Sequence, residues 1–308
     1  MRVAAIDLGT NTTRLLVADV VDGTVEEVVR RTAITRLGEG VDERRRLLPL
    51  PIARVRNVLT EYRREAERLG AERALLVATS AVRDADNGEA FLGEIEWSYG
   101  FSTRLLDGDE EAALTLRGVR TGLPVDAETL VVDIGGGSTE LVAGEVRASV
   151  DVGAVRLTER FLPSDPPPPD ELTACAAYVR SQLPELHAAR AVGVAGTITT
   201  LAALDLELKT YDRERVDGHH LSRRGAARQL ERLAAMRLAE RRAVPALEPE
   251  RAPVIVGGAV ILVEVLDRYR LDAVVASERD ILDGTALEAA ALPEPAEGDA
   301  PPGAYTCC

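Results

Sequence analysis

Asp7-Leu-Gly-Thr-Asn-Thr-Thr-Arg-Leu15 aligns without a gap to Asp133-Ile-Gly-Gly-Gly-Ser-Thr-Glu-Leu141. Each copy follows an apolar run and leads into another, so each reads as a β-hairpin whose turn carries an Asp, a Gly-containing loop and a hydroxyl. A chain that repeats such a unit folds as two similar half-molecules. Glycines let backbone N–H groups approach phosphate oxygens, and a neighbouring hydroxyl or amide adds a donor. Gly9, Thr10 and Asn11 in the first copy, and Gly135, Gly136, Gly137 and Ser138 in the second, are therefore candidate phosphate ligands. A carboxylate cannot bind phosphate itself but can hold Mg²⁺, a hard cation that takes oxygen ligands and keeps waters. Asp133 and Glu140 flank the second loop and are the candidate metal ligands, with Asp7 a further one and Mn²⁺ an alternative ion. One such loop alone reads equally well as a tight hairpin in which glycine supplies positive φ. Two loops in the order Asp, Gly, hydroxyl, hydroxyl favour phosphate. Arg14 stands where the second copy has Glu140, which suggests one loop gripping an anion and the other a metal.

Short apolar runs alternate with longer amphipathic stretches, the pattern of an α/β protein. Strands are expected at 3–6, 15–20, 74–79, 102–106, 130–134, 140–143, 146–150 and 191–195. Helices are expected at 52–69, 89–99, 109–121, 170–189, 197–204, 222–236, 253–270 and 283–292. Asp109 is read as the N-cap of the third, with Glu110 and Glu111 in the acidic first turn. Pro166 to Pro169 read as an exposed connector. From Pro293 onward the Pro, Glu, Gly and Ala composition points to a disordered tail. Gly257 and Gly258 read as helix packing or as close approach to a ligand. His219 and His220 lack a second ligand pair at metal spacing and read as an exposed loop.

The formal net charge is −14, which disfavours binding to nucleic-acid polymers, so an anionic substrate must meet a local basic patch. Positive charge is almost all arginine. Lys209 is the only lysine, which excludes a P-loop Gly-Lys-Ser/Thr. Cys175, Cys307 and Cys308 fit neither a metal site nor a disulfide framework. No signal-peptide pattern and no membrane-length apolar stretch is present, so a cytoplasmic location without membrane association is expected.

Across nearly the whole chain, from Ala5 to about Glu288, the sequence resembles the exopolyphosphatase and pppGpp phosphohydrolase family of the actin, sugar-kinase and Hsp70 fold group. The two repeat copies carry the resemblance together with Ala78-Thr-Ser-Ala-Val-Arg-Asp-Ala-Asp-Asn87, Gly108-Asp-Glu-Glu-Ala112, Gly196-Thr-Ile-Thr-Thr-Leu201 and Ser277-Glu-Arg279. It implies an α/β fold of two ribonuclease-H-like, actin-like domains with an interdomain active-site cleft. The expected boundaries are 1–113, with a C-terminal helix at about 279–292 packing back on it, 114–278, and the tail 293–308. A homodimer is implied at family level.

Glu111 falls where the family places its catalytic base, and a carboxylate at a helix start can orient and deprotonate an attacking water. Glu110 reads as complementing the helix dipole. Arg83 matches the family's arginine that reaches the phosphate chain, and Ser80 lies in the same loop. The turn at Gly196 and Thr197 resembles a further phosphate-contacting turn at a helix start. The resemblance does not extend to the extra C-terminal helical domains of longer members, which are expected to be absent, and Pro245 and Pro253 depart from the family pattern in a segment expected to act as a lid. The resemblance implies Mg²⁺-assisted hydrolysis of terminal phosphates from polyphosphate. The alternatives are a pppGpp 5′-phosphohydrolase, a non-catalytic sensor of polyphosphate or guanosine tetra- and pentaphosphate, and an ATP-dependent kinase of the same fold group.

Overall fold

The computed structural model describes residues 1–293 of the 308; the tail expected from Pro293 onward lies, Pro293 apart, outside them, as do Cys307 and Cys308. In chain order the first elements are β1 (Arg2–Leu8), β2 (Thr12–Val21), β3 (Thr24–Ile34), α1 (Val41–Arg44), α2 (Pro49–Arg68), β4 (Arg73–Ala78), α3 (Ser80–Arg83), α4 (Gly88–Tyr99), β5 (Ser102–Leu105) and α5 (Gly108–Val119). Then follow β6 (Thr129–Ile134), β7 (Thr139–Ala143), β8 (Val146–Val150), α6 (Ala154–Phe161), α7 (Pro169–Gln182), β9 (Arg190–Val194), α8 (Ala195–Asp205) and α9 (Arg213–Val216). The chain continues through β10 (His220–Ser222), α10 (Arg223–Ala234), α11 (Leu238–Arg241), α12 (Ile255–Arg268), β11 (Ala273–Ala276) and α13 (Ile281–Ala291). Two compact units result, one of Met1–Thr121 with the chain from Ile281, the other of Gly122–Asp280.

In the first unit the sheet runs β3-β2-β1-β4-β5, with β1 antiparallel to β2 and parallel to β4. The β2–β3 turn is Asp22-Gly23, both at positive φ (50° and 79°), the two-residue turn whose twist suits a hairpin. β1 is buried on both faces. Ala4, Ile6 and Leu8 join a core with Val55 and Leu59 of α2 and Phe91 and Ile95 of α4. Val3 and Ala5 join another with Leu114 of α5 and Ile281, Leu282 and Ala286 of α13. That two-sided burial explains why β1 reads as an uninterrupted apolar run.

In the second unit the order is β10-β11-β9-β6-β7-β8, with β6 antiparallel to β7 and parallel to β9. Read from β8, this is the same path as in the first unit with β10 added at the edge. The repeat in the sequence is thus a repeat of topology. One core joins β6, β7 and β9 to α7, α8, α10 and α12. Gly257 and Gly258 serve packing: a Cβ on Gly257 would lie 2.8 Å from the Ala154 carbonyl oxygen, and one on Gly258 2.6 Å from Thr197 Oγ1.

Several expectations are corrected. The N-cap of α5 is Asp107, whose side chain accepts from the Glu110 N–H while Glu110 returns a bond to the Asp107 N–H. α7 stops at Gln182, not Ala189, ahead of Pro184, and Pro169 opens it at the first helical position. His220 lies on β10, and His219 is half-buried with Nε2 3.0 Å from Asp205 Oδ2, so neither belongs to a free loop. No helix among the described residues is long and apolar enough to cross a membrane.

Two glycine replacements should have opposite signs. A Cβ on Gly284 of α13 would sit 2.1 Å from the Leu114 backbone oxygen of α5, which no rotamer change relieves. Gly284→Ala is expected to cost about 2 kcal/mol in urea unfolding. Gly93 of α4 has nothing within 4 Å of such a Cβ, and Gly93→Ala should gain about 0.5–1 kcal/mol from helix propensity.

Candidate active site

The two repeat loops have the same closure. The Gly9 N–H donates to the Thr12 carbonyl at 2.9 Å, and the Gly135 N–H to the Ser138 carbonyl at 3.1 Å. Neither Gly9 nor Gly135 has positive φ, so the hairpin reading of the glycines is not their reason. Space is the reason: a Cβ on either would come within 3.1 Å of the carbonyl that its own N–H engages.

The loops' carbonyls are anchored on one side. Those of Gly135 and Gly136 accept from the N–H groups of Ala154, Val155 and Arg156, and that of Gly137 accepts from Arg156 Nε at 2.7 Å. In the first unit the Thr10 carbonyl accepts from Gly38 N–H at 2.8 Å, and the Asn11 carbonyl from Thr35 and Arg36 N–H at 3.0 Å each. These peptides are trans, so each carbonyl turned inward points the following N–H the opposite way. The N–H groups of Gly136, Gly137 and Ser138, and of Asn11 and Thr12, are therefore aimed away from their anchors, as an anion-binding nest requires. Buried threonines at matching positions brace both loops: Thr13 Oγ1 meets Thr35 Oγ1 at 2.9 Å, and Thr139 Oγ1 donates to the Val152 carbonyl at 2.6 Å.

The carboxylates differ between the units. Asp7 and Arg14 are cross-strand partners, and Arg14 Nε and Nη2 each reach Asp7 Oδ2 at 2.8 Å. Arg14 is thus spent on Asp7 within its own hairpin. Asp133 pairs across the strands with Glu140, both are buried, and Ser149 Oγ donates to Glu140 Oε1 at 2.7 Å. No group of three or more His, Cys, Asp or Glu that could hold a metal occurs among the described residues. Two carboxylates nevertheless suit Mg²⁺, which is bound through one or two of them, substrate phosphates and retained waters.

β4 delivers Ser80 and Arg83 on α3. Arg83 Nη1 donates to the Leu106 carbonyl at 2.7 Å and to Glu111 Oε2 at 3.0 Å, joining two of the sequence-derived candidates in one ion pair. Glu111 itself is only 7% exposed. Its helix start is fixed by the Asp107 cap and by Arg104, which bridges Glu110 to Glu288 of α13. The Asp107 N–H and the Arg104 guanidinium hold the Glu110 carboxyl below its ordinary range. Ser80 is buried, with Oγ 3.4 Å from Asp84 Oδ2.

In the second unit β9 leads into Gly196 and Thr197 through Ala195, a non-glycine residue at φ 66°. A Cβ on Gly196 would lie 1.8 Å from Arg251 Nη1, so the absent side chain admits that guanidinium. The segment expected to be a lid is instead part of the core, with Val244, Leu247 and Ala252 buried. Ser277 Oγ receives the Arg279 N–H, and Glu278 accepts from Tyr211 and Arg213; burial pushes the Glu278 carboxyl up. Sequence reasoning missed Arg156, Gly38 and Gly153 altogether. The available signal was a glycine following each repeat copy.

A Cβ on Gly153 would lie 2.3 Å from the Gly136 oxygen and 2.5 Å from the Gly137 carbonyl carbon. Gly153→Ala should therefore displace the loop, costing about 2 kcal/mol in stability. Calorimetric titration with inorganic phosphate should show affinity reduced by roughly tenfold or more if the loop seats an anion. Unchanged affinity would remove the loop from that role.

The profile of the Ppx/GppA phosphatase family matches residues 16–291. The chain is 43% identical over 317 aligned positions to exopolyphosphatase 2 of Mycobacterium tuberculosis, covering 94% of this chain and 98% of that one. A crystal structure of an exopolyphosphatase-like protein matches with a TM-score of 0.88 at 36% identity over 94% of this chain and 98% of the other. The Aquifex aeolicus Ppx/GppA family member matches at 0.80 and 32% identity, over 94% and 97%. By its sequence, its α/β fold and its near end-to-end correspondence with these relatives, the chain belongs to the Ppx/GppA phosphatase family and is a hydrolase.

Proposed function

We propose that the protein is an exopolyphosphatase that releases orthophosphate from the end of inorganic polyphosphate. The observation that carries this reading is the pair of loops whose anchored carbonyls turn successive amides outward. Such amides recognise phosphate oxygens and nothing else about the molecule that bears them. The near full-length similarity to a protein named exopolyphosphatase supports the same substrate.

In this mechanism the amides of Asn11, Thr12, Gly136, Gly137 and Ser138 hold the terminal phosphates, aided by Gly9, Thr10, Gly135, Ser80 and the α8 start at Gly196 and Thr197. Arg83 adds charge-assisted hydrogen bonds. Asp133 and Glu140 are the residues that would hold Mg²⁺ or Mn²⁺, with Asp7 the further candidate, and the bound ion supplies neutralisation of phosphoryl-oxygen charge. Arg83 holds Glu111 Oε2, and we assign the Glu111 carboxylate to the attacking water. Water oxygen bonds to the terminal phosphorus as the bridging P–O bond breaks, its proton passes to Glu111, and the shortened chain leaves as an anion. Positioning and electrostatics carry such a transfer. The 5′-triphosphate of pppGpp presents the same oxygens, so substrates must be compared directly.

Phosphate release should be measured with long-chain polyphosphate, tripolyphosphate, pppGpp and ATP in the presence of Mg²⁺. Release from polyphosphate far above the others is expected. Glu111→Gln should lower turnover by roughly 10²–10⁴-fold with polyphosphate affinity retained. Retained turnover, or loss of binding with it, would remove Glu111 from the base role, and preferential release from pppGpp would make the protein a pppGpp phosphohydrolase.

A further inference from the structure

The segment joining β3 to α2 is pinned at both ends to candidate phosphate-binding elements of the first unit. On one flank the N–H groups of Thr35, Arg36 and Gly38 donate to Asn11 and Thr10. On the other the Arg45 carbonyl accepts from Asp86 N–H at 2.8 Å, while Leu47 N–H donates to Asn87 Oδ1 at 2.8 Å and Asn87 Nδ2 to the Leu47 carbonyl at 3.1 Å. Three consecutive arginines, Arg44, Arg45 and Arg46, all exposed, run into this second anchor, with Arg45 held there by its own carbonyl. Among the described residues no carboxylate comes within salt-bridge distance of any of them. Nearby arginines are otherwise engaged: Arg14 with Asp7, Arg54 with Glu39 and Arg83 with Glu111.

Two features call for a reason. The chain carries a net charge of −14, yet here it places three consecutive cations that make no salt bridge among the described residues. Arg45 also holds φ at 53°, a left-handed conformation taken in this unit by Gly23, Gly40, Gly70 and Gly100 and also by Asp22 and Arg36. An L side chain there carries a steric cost that glycine avoids, so the position keeps a guanidinium where the backbone favours none. Asp42 and Glu43 precede the run on α1 and limit the local excess, so the three guanidinium groups act at short range.

We infer that Arg44, Arg45 and Arg46 form a track for the inner phosphates of a long polyphosphate chain whose terminal phosphates occupy the neighbouring loop. The inference rests on the polyphosphate reading of the site. A polyphosphate presents charge at every unit along its length, which three adjacent forks can meet. A nucleoside would present a base instead, and residues 35–50 contain no aromatic ring to stack on it. The track therefore favours long chains over tripolyphosphate and over pppGpp.

The test uses the full chain with Arg44, Arg45 and Arg46 replaced together by Gln. KM for long-chain polyphosphate should rise by roughly tenfold, with a shallower salt dependence, while kcat and all tripolyphosphate parameters stay unchanged. Equal shifts for both substrates, or none, would overturn the track. Arg45→Gly guards against a folding defect, because glycine suits the backbone there; it should raise KM for the long chain by roughly twofold with no fall in melting temperature. An unchanged KM in that variant would overturn the proposal even if the triple variant unfolds. Should the parent release no phosphate from any polyphosphate, the hydrolase reading fails, and equilibrium binding of the long chain still decides the track: weaker binding by the triple variant supports it, equal binding refutes it.

Discussion

In both units a glycine presses against the repeat loop from behind, Gly38 on Thr10 and Gly153 on Gly136, and the segment around it captures the loop carbonyls. A buried carbonyl without a donor is costly, so these bonds are obligatory once the loop packs. Because the peptide is planar and trans, satisfying the carbonyls inward commits the amides outward. A capacity to bind anions in such a loop would therefore be a by-product of how its other half is satisfied. The same bonds set the entry of α6 and the path of residues 35–38, so the order of elements after each hairpin follows from them.

Electrostatics are local throughout. A strongly acidic chain can handle a polyanion only by placing cations and amide dipoles where the substrate goes. In the proposed reading Arg83 beside Glu111 and Arg251 against Gly196 would do this with few residues, while Arg14 is consumed by Asp7 and Arg104 by Glu110 and Glu288. The two hairpins thus keep one backbone design and carry opposite cross-strand chemistry, a neutralised pair in one and a pair of carboxylates in the other.

The hairpin loops, the central strands and the long amphipathic helices were legible because their signals are local: contiguous motifs, apolar runs, the 3.6-residue spacing of Val55, Leu59, Tyr62 and Ala66 on α2. β3 was not, since its charged residues Glu26, Glu27, Arg30 and Arg31 break the apolar pattern of a strand covered only in part. Asp107 does not stand out over Asp109 as the cap, because several acidic residues in a row suit the same role. Arg156, Gly153 and Arg104 act on partners 19, 17 and 184 residues away, as with Gly137, Gly136 and Glu288, and spacing along the chain contains no trace of that. The Arg83–Glu111 pair is of this kind too: both members were singled out, but not their contact.

The helix that covers the inner face of β1 comes from the far end of the polypeptide. Val3 and Ala5, synthesised before the second unit, pack with Ile281, Leu282 and Ala286, synthesised after it, whereas the second unit is contiguous from Gly122 to Asp280. During vectorial synthesis the later half can thus close its core first, and the earlier half waits on the ribosome with one face of its sheet uncovered until α13 emerges. Order of synthesis and order of completion are reversed, which makes the exposed side of β1 the surface that a nascent chain of this architecture must keep from its neighbours.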